Sequence, residues 1–182
     1  MDKDALNRAI SCLVIKDVYL NKISAGKSSD FDNVVANGGQ LVVNYRRNWK
    51  HVRKVEFEER TVSDADTKPE KESATQHHLL VHYDAAFRLI ESSKAAEGHD
   101  DVESLAEVEA EFIAEYRMTE PDIDEGALRE FCRHNVGYHV WPYWRELAQS
   151  TASRMKLPQV EIPFYRVPED ARKTEENLGS EK

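Results

Sequence analysis

Through the middle of the chain, apolar and polar residues alternate with a period of two. In Leu79–Leu89, one face carries Leu79, Val81, Tyr83, Ala85, Phe87 and Leu89, and the other carries Leu80, His82, Asp84, Ala86 and Arg88. This is the pattern of a half-buried strand. Glu107–Met118 repeats it, with Val108, Ala110, Phe112, Ala114, Tyr116 and Met118 set against Glu107, Glu109, Glu111, Glu115 and Arg117. Ala and Glu favour helices, and Leu105, Val108, Phe112 and Tyr116 also fit a helical spacing. The longer run of period-two matches decides for a strand. Between the two segments, Ser92–Asp101 has the polarity and length of a hairpin loop.

Upstream, Ser11–Ile23 reads as a first strand, long and rich in β-branched residues, and Arg53–Val62 as another, solvated on one face. Gly38–Tyr45 adds a short extra strand. Ser24–Gly39 and Ser63–Ala74 read as loops, the second with almost nothing to bury. After Met118, Thr119–Asp124 supplies a turn and an N-cap for a short helix over Glu125–His134 that buries Leu128, Phe131 and Cys132. A long helix follows over Tyr138–Lys156, with Pro142 in its first turn. Trp141, Trp144, Ala148, Thr151 and Met155 recur on it at helical spacing, with Leu147 and Ala152 beside them. Leu157-Pro158 ends it before a short apolar stretch at 160–164. Strands first and helices last predict an α+β domain, with an antiparallel sheet of about four strands covered on one face by a short and a long helix. One domain over residues 1–168 and a polar, mobile tail over 169–182 are expected.

Composition narrows the function. A chain of 182 residues with 40% hydrophobic and 32% charged residues reads as soluble and globular. Its net charge of −9 argues against nucleic acid as a partner, since phosphate binding needs a clustered basic surface. The one dense basic run, Tyr45–Lys54, fits a solvated strand or loop. Cys12 and Cys132 stand far apart, as reduced thiols would. No segment approaches the roughly 20 apolar residues of a membrane span, and the charged start is unlike a signal peptide, so a cytoplasmic protein without membrane contact is expected.

Catalytic signals are weak. His78, His82 and Asp84 share a strand face beside His77, but no His-Glu-x-x-His or Cys-x-x-Cys spacing completes a metal site. The row Glu107, Glu109, Glu111 reads as the solvated face of a strand. There is no nucleophile elbow, P-loop or dinucleotide fingerprint. No enzyme activity, metal or cofactor is expected, and a metal-dependent enzyme on the His77–Asp84 strand is the least favoured alternative.

The run Asn135–Phe164 combines an aromatic-Pro-Tyr step, Arg145-Glu146, Ser153-Arg154 and Leu157-Pro158-Gln159 before a short apolar stretch. Together with Ile15–Ser24, Asn48-Trp49 and the order of elements, it resembles the SecB chaperone family. The resemblance implies an ATP-independent holdase that binds unfolded or secretory polypeptides in apolar grooves beside its sheet. It implies a homo-oligomer, typically a dimer of dimers, and a handover to the export motor SecA or service to a dedicated client such as an antitoxin.

By position, the resemblance places Val108, Ala110, Phe112, Ala114 and Tyr116 at the client groove. Trp141, Tyr143, Trp144, Leu147 and Thr151 fall at the oligomer interface, on the premise that an isolated chain leaves Trp141 and Trp144 exposed. The polar stretch from Glu169, with five acids against three bases, departs from the family's apolar second helix and strongly acidic tail. That departure favours a specialised client over general export. The alternative is an interaction module that holds one folded partner.

Overall fold

The computed structural model describes residues 1–58, 75–95 and 103–166. The expected loop at 63–74, the far part of the 92–101 connection and the tail at 169–182 lie outside the described residues. Helix α1 spans Lys3–Cys12, strand β1 Leu13–Lys27, helix α2 Phe31–Ala36, strand β2 Leu41–Glu58 and strand β3 Thr75–Glu91. Helix α3 covers Ser92–Ala95, strand β4 Ala106–Met118, helix α4 Glu125–Phe131 and helix α5 Gly137–Arg154. The four strands form one antiparallel sheet in the order β1-β4-β3-β2. With helices on one face, this is the expected α+β architecture.

The two alternating segments are the central strands, in the predicted register of faces. Val108, Ala110, Ala114 and Tyr116 of β4 and Leu79, Val81, Ala85 and Phe87 of β3 are fully buried beneath the helices. The opposite face departs from expectation, because Leu80, His82, Asp84 and Ala86 are buried too. Among the described residues no helix covers that face. Side chains from the flanking strands do so instead: the His51 ring stacks on His82 at 3.9 Å, Phe57 meets His78 edge-on, and Lys50 reaches Asp84 at 2.7 Å.

Elsewhere local capping and tertiary pairing redraw the boundaries. Ser11 and Cys12 belong to α1, not to a strand. The Asp2 carboxylate accepts from the Asp4 and Ala5 amides, and Ala5 and Ala9 are buried on the helix's inner side. The expected loop at 24–39 contains the end of β1 and α2, the latter anchored by buried Phe31. The separate strands expected at 38–45 and 53–62 are joined over Leu41–Glu58 as one strand, β2, with a bulge between Trp49 and His51, so the basic run Tyr45–Lys54 is strand throughout; residues 59–62 lie outside the described residues.

Asp124 caps α4 through the Ala127 amide, as the sequence led us to expect. The chain then passes through a π-helical turn, Cys132–Val136, straight into α5. Pro142 therefore lies inside a helix rather than in its first turn, and is tolerated on the exposed side. Lys156, with φ 56°, ends the helix in the left-handed region. Residues 157–166 return as an extended segment without a ladder, burying Val160 and Ile162.

Candidate functional site

Helix α5 packs mainly over β4 and reaches β1 on one side and β3 on the other. Trp144 is fully buried on its inner side with its ring 6.3 Å from that of Phe87. Trp141, also buried, donates from Nε1 to the Pro163 carbonyl at 2.7 Å. Beyond this cover, β1 is an edge strand, and its ladder with β4 carries two register shifts, between Ile15 and Asp17 and between Leu20 and Lys22. Each shift inserts one residue and reverses the parity of faces. In consequence Leu13, Ile15, Val18, Leu20, Ile23 and Ala25 all stand opposite core-facing residues of β4.

Leu13 and Val18 are covered, but Ile15, Leu20 and Ile23 remain 40%, 42% and 42% exposed on the helix side of the sheet. Leu20 continues into a pocket of about 380 Å³ formed with Phe112 of β4 and Pro142, Tyr143, Glu146 and Leu147 of α5. Tyr143 is half exposed there. The arrangement is an apolar trough beside a strand edge that is unpaired among the described residues. It offers main-chain donors and acceptors next to aliphatic and aromatic surface, and it has no chemistry for bond-making.

The opposite face of the sheet carries a tightly paired polar network among apolar residues such as Leu80 and Ile113. Glu111 accepts from Asn21 of β1 at 2.6 Å and Lys50 of β2 at 3.4 Å, and lies 2.8 Å from His82 Nδ1 of β3. The His82 hydrogen bond is the main cause that holds its carboxyl down at about 2. Glu115 lies 2.6 Å from His78 Nδ1, and Arg46 pairs with Glu109. The acidic row is therefore a set of ladder-spanning contacts rather than a simply solvated face. Among the described residues, no three His, Cys, Asp or Glu side chains converge as metal ligands. On the helix side, Tyr116 meets His139 Nδ1 at 2.9 Å, where burial pushes the phenol up and the imidazole down.

No protein-family model and no curated protein matches the chain. Among solved structures, it resembles the SecB-like chaperone of Mycobacterium tuberculosis, solved in complex with a ChAD peptide from the HigA1 antitoxin. The TM-score is 0.61 over 91% of this chain and 99% of that one, at 16% identity. The fold is SecB-like. At this identity the likeness shows architecture only.

Within the SecB-like fold, the residues expected at the groove and interface separate into two groups. Phe112, Tyr143 and Leu147 come together at one pocket. Val108, Ala110, Ala114 and Tyr116 lie under the helices, so a client could reach them only by displacing the core. Trp141 and Trp144 are likewise enclosed within a single chain, which corrects the premise that an isolated chain leaves them exposed. Their enclosure comes from the return segment and from β3. Thr151 is partly buried. The exposed members of the trough, Ile15, Leu20 and Ile23, were missed by the sequence because two bulges hide their shared face. No described helix is long and apolar enough to cross a membrane.

Proposed function

We propose that this protein is an ATP-independent chaperone that holds an extended, apolar stretch of a client polypeptide in the trough between β1 and α5. The observation that carries this reading is the uncovered row Ile15, Leu20 and Ile23 running into the Phe112–Tyr143–Leu147 pocket. Burial of that row and of client side chains contributes about 25 cal/mol per Å², while the β1 edge offers sequence-independent hydrogen bonds. A dedicated client is favoured over general export. The structural neighbour's antitoxin peptide makes an antitoxin the first client class to try, with secretory polypeptides and the motor SecA second.

The same open edge fits self-association, and a homo-oligomer, a dimer or dimer of dimers, belongs to this reading with Tyr143 and Leu147 near its contacts. The test is ATP-free suppression of aggregation of a chemically unfolded model protein by near-stoichiometric chaperone. Suppression supports the holdase. Absence of suppression, with tight binding to one folded cognate, would transfer the site to a single-partner module.

A further inference from the structure

We propose that the free edge of β2 and the pocket behind it form a second binding surface, for an extended acidic segment of another polypeptide whose carboxylate is held between Arg47 and Arg133. This surface lies at the edge of the sheet opposite to β1 and goes beyond the apolar trough. Its existence does not depend on the holdase reading.

Four observations converge on it. First, β2 is an 18-residue strand that pairs only with β3 among the described residues. The return segment is held there by side chains, Tyr45 to the Glu161 carbonyl at 2.5 Å and Arg47 to the Arg166 carbonyl at 2.8 Å, so it does not consume the strand's outer backbone groups. Second, the bulge at Lys50 opens the strand into a pocket of about 400 Å³, lined by Arg47, Asn48, Trp49, Tyr83, Arg133 and Tyr165. A pocket of cations and rings suits a carboxylate flanked by apolar surface.

Third, the charges are unequally spent. On β2, Arg46 is paired with Glu109 and Lys50 with Asp84 and Glu111. Among the described residues neither Arg47 nor the exposed Arg133 has a carboxylate within ion-pair distance, in a chain whose net charge is −9. Fourth, Arg47 is stacked, with Cζ 4.6 Å from the Tyr165 ring and 5.2 Å from Trp141. The ring contacts hold the guanidinium in place, and with one Nη given to the Arg166 carbonyl its remaining N–H groups are left for an acceptor.

Register gives the ligand's pattern. Arg47 stands opposite Ala85 and Trp49 opposite Tyr83, so both face the helix side. A strand added to β2 sends every second side chain to that side. The segment should therefore place an Asp or Glu two residues from an apolar side chain.

The test uses the full chain and three fluorescent, end-blocked peptides of alternating Thr and Val. One carries a central Glu, one a Gln in its place, and one the Glu with alternate backbone nitrogens methylated. Anisotropy at low salt should show the Glu peptide binding about tenfold tighter than the Gln twin, as a charge-assisted contact implies, with the methylated peptide weakest. Arg47→Gln and Arg133→Gln should each erase most of that preference. Arg133 is exposed, so its variant stays informative even if Arg47→Gln disturbs the fold. Leu20→Asp in the trough should leave the preference intact. Equal affinity for Glu and Gln, an undiminished preference in Arg133→Gln, undiminished binding of the methylated peptide, or no binding of any of the three would each overturn the proposal.

Discussion

Glu111 of β4 and His82 of β3 face each other on the polar side of the sheet, with carboxylate oxygen Oε1 2.8 Å from imidazole Nδ1. Because the same carboxylate also takes Asn21 of β1 and Lys50 of β2, one side chain joins all four strands. Its 16% side-chain exposure keeps water from replacing these partners fully.

The first prediction is that Glu111→Gln lowers stability by about 1–3 kcal/mol near neutral pH, since it takes the charged acceptor away from buried His82 and from the Asn21 and Lys50 donors. The wild-type carboxyl has its folded value depressed, from 4.5 to about 2. Its stabilisation is therefore complete above 4.5 and is lost as pH falls through about 2. Urea midpoints measured from pH 7 downward should show this acid loss in the wild type and a flatter slope in Glu111→Gln. Identical slopes would show that the carboxylate carries no such linkage.

Gly137 begins α5 where a Cβ would run into the Tyr165 hydroxyl and come within 2.7 Å of the Tyr83 hydroxyl. Gly137→Ala should cost about 1–3 kcal/mol by overpacking, although alanine is the better helix former. Adding Tyr165→Leu should recover part of the loss in a double-mutant cycle of denaturation midpoints. Strict additivity would place the strain elsewhere.

Client holding should depend on the exposed row rather than on the buried strand face. Leu20→Asp is expected to abolish aggregation suppression while its far-UV circular dichroism and melting temperature stay near wild type. Phe112→Asp makes a poorer test, because Phe112 is buried, and an unpaired charge placed there costs folding energy directly. Wild-type holding by Leu20→Asp would remove the trough from the function.

The two thiols should differ in reactivity. Burial pushes Cys132 up to about 12, and it is almost inaccessible, whereas Cys12 is half-buried near the end of α1. Titration of the native protein with an aromatic disulfide at pH 8 should modify one thiol quickly and the second only on unfolding. Rapid modification of both would show that the α4–α5 junction opens readily.

The sequence by itself determined the central strands, because a run of period-two matches over a dozen residues outweighs the shorter helical spacing that Leu105, Val108, Phe112 and Tyr116 also fit. It also determined the short and long helices after β4, through the Asp124 cap and the aromatic stripe. Tertiary structure decided which apolar residues stay uncovered. Ile15, Leu20 and Ile23 do not follow a period of two; they share a face only because two bulges each reverse the parity, and bulges arise from pairing with β4. Trp141 and Trp144 look in sequence like a stripe awaiting a partner, yet the chain's own return segment and β3 fill that place. Local pattern fixes what a segment wants to bury, and the packing of distant segments fixes whether anything remains to cover it.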